Sequence, residues 1–468
     1  MKMLDRITPD TAITERALEG EHLDLVVRRT ARRRVLITGD VVSVADESTE
    51  VSIMVRSIAG GVAGCATANR ADRATLQWAV QQARELRTAG RSAMRWPTPS
   101  SVGPPQVSDR RPQLRALVDL PLPRSVAVLR ELTSAALTHA GVTSANAVWD
   151  HVGSVVTVAG SGRVPVTYTQ PEVTIALTVR ASDGRHQASG TAGRTAVALD
   201  RIDPATLVAE AHREAIRQLP RSDLRQPAIP STSPLVIAPR PWSRLLAQIA
   251  ATFYTDRRDL TRSGLRAPSA RLLRGGFHLV DDPTAAADLA HPPCDDEGTR
   301  TRRTVIIDDG ELATLLSDLS SAEPGRPSTG NGWMVPTGSG VGHGIAVAGS
   351  CLAVEGASRP LEELLGSAPL LLYVSRIDDG HDRGVDAPND SIRLTLSGWL
   401  VRDGEPAGPI RSATIGIPLS SFLAAVGGLS NAAHHYRVAA GSTHRKGPAV
   451  RSSHVLVHDI PLMPGEQR

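Results

Sequence analysis

The stretch CDDEGTRTRRTVIIDDGEL, residues 294–312, decides how this chain is read. An acidic, glycine-ended turn (Asp295, Asp296, Glu297, Gly298) leads into a Thr/Arg tract. An apolar β-branched run follows, Thr304-Val305-Ile306-Ile307, and Asp308-Asp309-Gly310 ends it. β-Branched side chains pack well on a pleated surface, and Asp-Gly supplies the positive φ of a tight hairpin turn. The spacing predicts a loop, a strand and a hairpin, with ordinary surface turn chemistry in the acidic segment.

Two further segments read outward from it. Residues 51–90, VSIMVRSIAGGVAGCATANRADRATLQWAVQQARELRTAG, give a strand, a glycine-rich turn and a helix. Residues 397–406, SGWLVRDGEP, give a second hairpin around Asp403-Gly404. In this order the three segments resemble the TldD/TldE (PmbA) family. That family carries a D-[DS]-E-G-x-x-T-x-[RQ]-R-x-x-[IV]-I-x-[DN]-G-x-L pattern, a G-x-A-x-T-N turn and a G-x-[WL]-[IL]-[EV]-x-[GD]-G-x-[IP] hairpin. The resemblance covers most of the chain. It implies an α+β, two-domain architecture: a mixed α/β domain over residues 1–222 and a mostly antiparallel β domain over residues 235–468.

Composition sets the outer limits. A chain of 468 residues holds two or three domains, each with its own core. Aromatic residues make up only 3%, so those cores must be built from Val, Leu, Ile and Ala. The net charge is +4, and apart from Lys2 and Lys446 every basic residue is arginine. The arginines are dispersed, except at Arg28-Arg29, Arg32-Arg33-Arg34 and Arg300-Arg302-Arg303. Neither a basic stripe on a reading helix nor a stacking platform is visible, which argues against a nucleic-acid partner. Cys65, Cys294 and Cys351 are too few and too scattered for a disulfide framework or a Cys-x-x-Cys metal site. No leader-type apolar segment and no run of 18 apolar residues occurs, so the expectation is a soluble cytoplasmic protein without a membrane partner.

Along the chain, residues 12–20 read as a short helix, and residues 24–29, 34–38, 41–44 and 50–58 as strands. Residues 72–86 form a helix capped by Asp72, with Leu76, Val80, Ala83 and Leu86 on its apolar face. Residues 96–123, rich in Pro, Ser and Arg, read as a long surface connection. A helix over residues 124–141, strands at 154–159, 165–168 and 173–181, and a helix over 204–219 follow. Residues 221–234 turn to Pro, Ser and Arg and mark the boundary. Beyond it come a strand at 235–238, a helix over about 241–253, and short strands between glycine-rich turns. Residues 325–342, GRPSTGNGWMVPTGSGVG, are mostly turn formers and read as a long flexible loop.

In the TldD branch the resemblance implies a zinc site, made by an H-E-x-x-x-H helix and a distant cysteine. Two imidazoles on one helical face hold such a metal, and the intervening glutamate activates its water. Here the corresponding helix reads LLAQIAAT, residues 245–252. Ala247 and Thr252 stand at the histidine positions and Gln248 at the glutamate, while Gly441-Ser442-Thr443-His444 occupies the cysteine region. That departure matches the TldE/PmbA branch. It implies a subunit without zinc of its own, enclosing a peptide or amide substrate while a TldD-like partner supplies the zinc. The family acts on small or unfolded peptides, including peptide-derived antibiotic precursors. Arg303 and the Gly330-Asn331-Gly332 loop are the expected substrate contacts.

Two alternatives follow from the residues. One is a stand-alone homodimeric peptide-binding protein. The other is a hydrolase with its own site, for which Cys294 beside His291, His343, or the Gly338-Ser339-Gly340 string would be the starting points. The remaining histidines show no ligand spacing. His454 and His458 share one strand face, His434-His435 would point to opposite faces, and His381 is isolated.

Overall fold

The computed structural model describes residues 11–87, 107–219, 230–260, 263–285, 289, 291–322, 326–336, 343–378, 384–438 and 447–464. It is a mixed α/β fold with a sheet-rich C-terminal region, as the resemblance implies.

The first sheet is built from β1 (Glu21–Thr38), β2 (Val41–Ala59), β3 (Val62–Ala68), β4 (Val142–Gly160), β5 (Val166–Ser182) and β6 (Gln187–Ala196). Its spatial order is β3-β2-β1-β4-β5-β6, antiparallel throughout. The helices are α1 (Arg73–Leu86), α2 (Arg111–Val118), α3 (Leu122–Leu137) and α4 (Pro204–Gln218). Strand alternation gives the sheet two buried faces. Leu23, Leu25, Val27, Ile53 and Val55 meet α1, and Trp149, Ile175 and Leu177 meet α3 and α4. Val26, Met54, Val156 and Val158 point the other way, against Cys294 and Met334 of the C-terminal region.

Several expectations need correction here. The fragments expected at residues 24–29, 34–38 and 41–44 belong to continuous strands of 18 and 19 residues. Their polar middle stays in the sheet because Arg32 pairs with Asp150 and Arg33 with Glu47. The connection expected at 96–123 contains α2 and the start of α3; residues 88–106 lie outside the described residues. Residues 12–20 give only a 3-10 turn, Thr11–Arg16. Strand β6, QASGTAGRTA, has few strand formers, and its small residues let α4 seat directly on it: a Cβ at Gly190 would collide with the Ala211 carbonyl. By contrast Asp72 caps α1 as expected, accepting from the Thr75 backbone N–H at 2.9 Å.

The C-terminal strands begin with β7 (Thr232–Ile237), β8 (His278–Asp281), β9 (Thr304–Asp308), β10 (Glu311–Leu312), β11 (Gly332–Pro336) and β12 (His343–Val347). Next come β13 (Cys351–Glu355), β14 (Ser358–Arg359), β15 (Leu370–Asp378), β16 (Gly384–Asp386) and β17 (Ser391–Arg402). The last are β18 (Glu405–Pro418), β19 (Val426–Arg437), β20 (Ala449–Pro461) and β21 (Met463–Pro464). All but the β11–β12 hairpin join one sheet, 13-stranded among the described residues. It is antiparallel except at β13–β20, β14–β19 and β7–β15. Helix α5 (Pro239–Ala250) and the short α6 (Leu361–Leu365) and α7 (Leu419–Ala424) cover it. Trp242, Leu245 and Ile249 of α5 and Phe422 of α7 fill the main core. Residues 309–310 turn as expected, with φ of 46° and 84°, and so do 403–404. Residues 325–342 are not the expected loop throughout: β11 pairs with the strand at 343–347, while 337–342 lie outside the described residues.

The acidic turn is the largest departure. Asp295, Asp296 and Glu297 are all 0% exposed, because they insert between the two sheets. Asp24 and Arg56 face each other across β1 and β2. Arg56 donates to Asp24 Oδ2 through Nε and Nη2, at 3.0 and 2.7 Å, and to Glu297 Oε1 through Nη1 at 2.6 Å. Arg163 adds a bond to Asp24 Oδ1 at 2.6 Å and another to the Glu297 carbonyl. Backbone amides satisfy most of the rest, while Asp296 Oδ1 has, among the described residues, only the Arg28 guanidinium nearby, at 3.5 Å. Gly332 N–H donates to Asp295 Oδ2, Met334 N–H to Asp296 Oδ2 and Leu319 N–H to Glu297 Oε2. Buried carboxylates persist only with this degree of pairing.

Two carboxyls on one arginine shift oppositely. Burial pushes Asp24 up, but Arg56 and Arg163 outweigh it, and its carboxyl lies well below the usual range. Burial keeps Glu297 above its usual value despite Arg56, because it receives a single arginine donor and sits near Asp318.

Two outcomes are expected. Gly64→Ala should cost about 1–3 kcal/mol in denaturant melts, because a Cβ there meets the Ala83 carbonyl of α1. Arg56→Met should cost about 3–5 kcal/mol at neutral pH by leaving buried Glu297 without its cation and Asp24 to Arg163 and His22. In the variant Glu297 loses its arginine donor and its folded-state pKa rises further above the unfolded one, so that part of the penalty fades as pH falls. In the parent, Asp24 contributes stability above its unfolded pKa and loses it on acidification. The Glu297 part narrows the deficit as pH falls from about 8 to about 5, and the Asp24 part narrows it only below about pH 4; a deficit flat with pH would refute this charge assignment.

Candidate functional site

Helix α5 carries the positions where the resemblance looks for a metal. Its apolar side is buried, and Ala247 packs at the margin of the main core. Gln248 lines a small cleft with Pro241, Arg244, Leu245 and Ile377. Thr252 is 1% exposed; its hydroxyl has no hydrogen-bond partner, while its carbonyl accepts from Arg266 Nε at 2.6 Å. A methyl, an amide and one buried hydroxyl do not make a zinc site, which wants imidazole, thiolate or carboxylate donors. Arg244, one turn before Gln248, brings a fixed positive charge to the same cleft and opposes a cation. Among the described residues no group of three His, Cys, Asp or Glu side chains could hold a metal ion. Residues 441–444 and His381 lie outside the described residues.

The four expected substrate contacts sit at the joint or beside it. Asn331 is 2% exposed. It donates to Asp281 Oδ2 at 2.7 Å and to the Ala348 carbonyl at 3.0 Å, and accepts from Thr329 Oγ1 at 2.8 Å. Gly330 has φ of 80°, and a Cβ at Gly332 would strike the Glu297 carboxylate. Arg303 pairs with Glu355 at 2.9 Å. None of the four lines the large cavity described next.

That cavity, about 960 Å³, opens between α4 and β6 on one side and the start of α5 with β15, β17, β19 and β20 on the other. Its floor is aromatic and neutral. Tyr373 stacks on Trp399, centroids 4.0 Å apart, and the Arg217 guanidinium lies 5.6 Å over the Trp399 ring. Tyr373 Oη is 3.0 Å from His454 Nε2, and His454 Nδ1 is 3.3 Å from Ser430 Oγ. Burial takes His454 down to about 4, so it is neutral. Ser430 Oγ donates to the Ala432 carbonyl, so it accepts from Nδ1–H, and Nε2 accepts the tyrosine proton.

The rim is charged. Arg194, Arg213, Arg217, Arg240, Arg244 and Arg376 line the cavity against Glu210 and Glu214. Glu210 pairs with Arg194 at 2.6 Å. Burial pushes Glu214 up to about 7 although the Thr191 N–H donates to it, so part of its charge is lost near neutrality. Sequence reading missed this site. The signal was present, since residues 210, 213, 214 and 217 share one face of α4, but a charged helical face ordinarily meets solvent.

The hydrolase alternatives find little here. Cys294 lies in an apolar cluster with Val26, Met54 and Met334, and burial followed by Asp295 and Asp296 drives its thiol far up. Thiolate, the nucleophilic form, is thereby disfavoured. Burial and Arg437 take His291 down to about 3. His343 opens β12, and residues 338–340 lie outside the described residues. Each of the three arginine clusters has members engaged internally, with Arg28 near Asp296 at 3.5 Å, Arg32 on Asp150 at 3.0 Å and Arg302 donating to the Ser328 carbonyl at 3.0 Å, while Arg34 and Arg300 are exposed. No helix among the described residues is long and apolar enough to cross a membrane.

Comparison with known proteins supplies the lineage. TldE from Thermococcus kodakarensis superposes with a TM-score of 0.76 at 17% identity, over 94% of this chain and 96% of that one. A Thermotoga maritima protein described as a candidate modulator of a DNA gyrase gives 0.77 at 15% identity, over 97% and 98%. At these identities the likeness is one of fold. An uncharacterized protein of Methanocaldococcus jannaschii is 32% identical over 100 residues, which is 21% of this chain and 24% of that protein's length. Residues 23–87, 115–219 and 230–462 match, in order, domain 1, the central domain and the C-terminal domain of the PmbA/TldA metallopeptidases. The chain belongs to the PmbA/TldD metallopeptidase family.

Proposed function

We propose that this chain is a TldE-like, non-catalytic subunit of a heterodimeric zinc-dependent peptidase or amide hydrolase. In this reading a TldD-like partner holds the zinc, and this chain helps enclose the peptide or amide substrate. The observation that carries it is α5 and the 3-10 turn after it, where Ala247, Gln248 and Thr252 take the ligand and base positions and Arg244 shares the cleft. The zinc on the partner supplies the Lewis acid and the activated water of hydrolysis. This chain contributes a wall: the large cavity beside α5 is open, arginine-rimmed and floored by the neutral Tyr373–His454–Ser430 chain. Those groups suit binding and orientation better than proton transfer, since His454 stays neutral and burial raises the Tyr373 phenol.

The test is coexpression with an H-E-x-x-x-H paralogue from the same genome, read by size-exclusion chromatography, metal analysis and amide hydrolysis. A complex stable at micromolar concentrations is expected, with zinc and hydrolysis appearing only in the mixture. Hydrolysis by this chain alone, or no association, would overturn the reading.

A further inference from the structure

We propose that the 960 Å³ cavity between α4–β6 and the β15–β17–β20 surface binds a carboxylate-rich peptide segment. Its volume is near the top of the range for ligand pockets, roughly 300–1,000 Å³, enough for several residues. The charge around it is lopsided and spread out. Arg213 and Arg217 stand on α4; Arg240 and Arg244 stand on the first turns of α5; Arg376 stands on β15. Of the two acidic side chains at the rim, Glu210 is already engaged by Arg194. Among the described residues, Arg213, Arg240 and Arg376 form no ion pair, and Arg217 meets an aromatic ring instead of a carboxylate.

Cations on opposing walls favour a ligand with several separated negative groups over a single small anion. Guanidinium forks match carboxylates in two-point bonds. A cleft lined by one sign of charge also concentrates its counter-ions. The aromatic floor, Tyr373 on Trp399, offers the apolar stem of an acidic side chain a surface to rest on.

The inference rests on the reading above only in taking this cavity as the face shown to substrate. It is tested without any partner, so its failure is separable from failure to associate. The full-length chain is titrated by calorimetry with an N-acetylated, C-amidated tetraglutamate peptide. Tetralysine of the same design and inorganic phosphate serve as comparison probes. Saturable binding of tetraglutamate is expected, weakening several-fold from low to high salt, with none for tetralysine. Two variants follow, Arg213→Gln with Arg217→Gln, and Arg240→Gln with Arg376→Gln, the second confined to exposed side chains. Each should weaken binding by about tenfold with an unchanged unfolding midpoint in the second. Absence of binding, equal binding by the second variant, or phosphate binding as tightly as the peptide would overturn the proposal.

Discussion

One guanidinium holds the two halves of this protein in register. Arg56 is placed by the β1–β2 pairing, reaches across to Asp24 within its own sheet, and spends its remaining edge on Glu297 from the other half of the chain. Around that contact the acidic turn gives up all its exposure. The geometry tolerates no added bulk: Gly332 lies against the Glu297 carboxylate, and Gly330 needs a left-handed backbone. Asp24 is held by Arg56 and Arg163 together, and Glu297 by Arg56 and the Leu319 N–H, as buried charges require.

The legible parts of the fold were those fixed by local rules. Asp72 announced a helix start, Asp309-Gly310 and Asp403-Gly404 announced turns, and the apolar spacing of α1 announced its buried face through Leu76, Val80 and Ala83, although Leu86 is exposed. What stayed hidden depended on partners far along the chain. The acidic turn reads as surface chemistry until Arg56 and Arg163 are brought to it. The weak strand formers of β6 make sense only with α4 lying on them. The middle of β1 looks like a break until Glu47 and Asp150 face its arginines. Family resemblance carried the architecture further than propensity, and drew attention to residues 330–332, which lie at the joint and not along the large cavity. That cavity was invisible for the same reason: its walls come from α4, α5 and strands of both sheets.

Helix α5 and the cavity beside it describe a division of labour. The helix keeps its packing role through Trp242, Leu245 and Ile249, whose loss would each cost about 2–5 kcal/mol, while its polar side has no metal-binding chemistry to preserve. The neighbouring surface carries Arg240 and Arg244, charges that oppose a cation. Beneath the cationic rim lies a neutral floor in which Tyr373, His454 and Ser430 satisfy one another's hydrogen bonds.

Strand β20 gives the C-terminal sheet a particular assembly order. It pairs with β7 from more than two hundred positions earlier, with β13 and with β19, so it closes the centre of the sheet. During synthesis the first sheet can form early, since its strands and helices all lie in the first half of the chain. The second cannot, because β7, β13 and β19 each wait with an open edge until β20 arrives. Open edges of this kind invite pairing with other chains. Late completion thus makes the nascent C-terminal region the vulnerable stage of this protein's life, and the one where a chaperone or a waiting partner has most to protect.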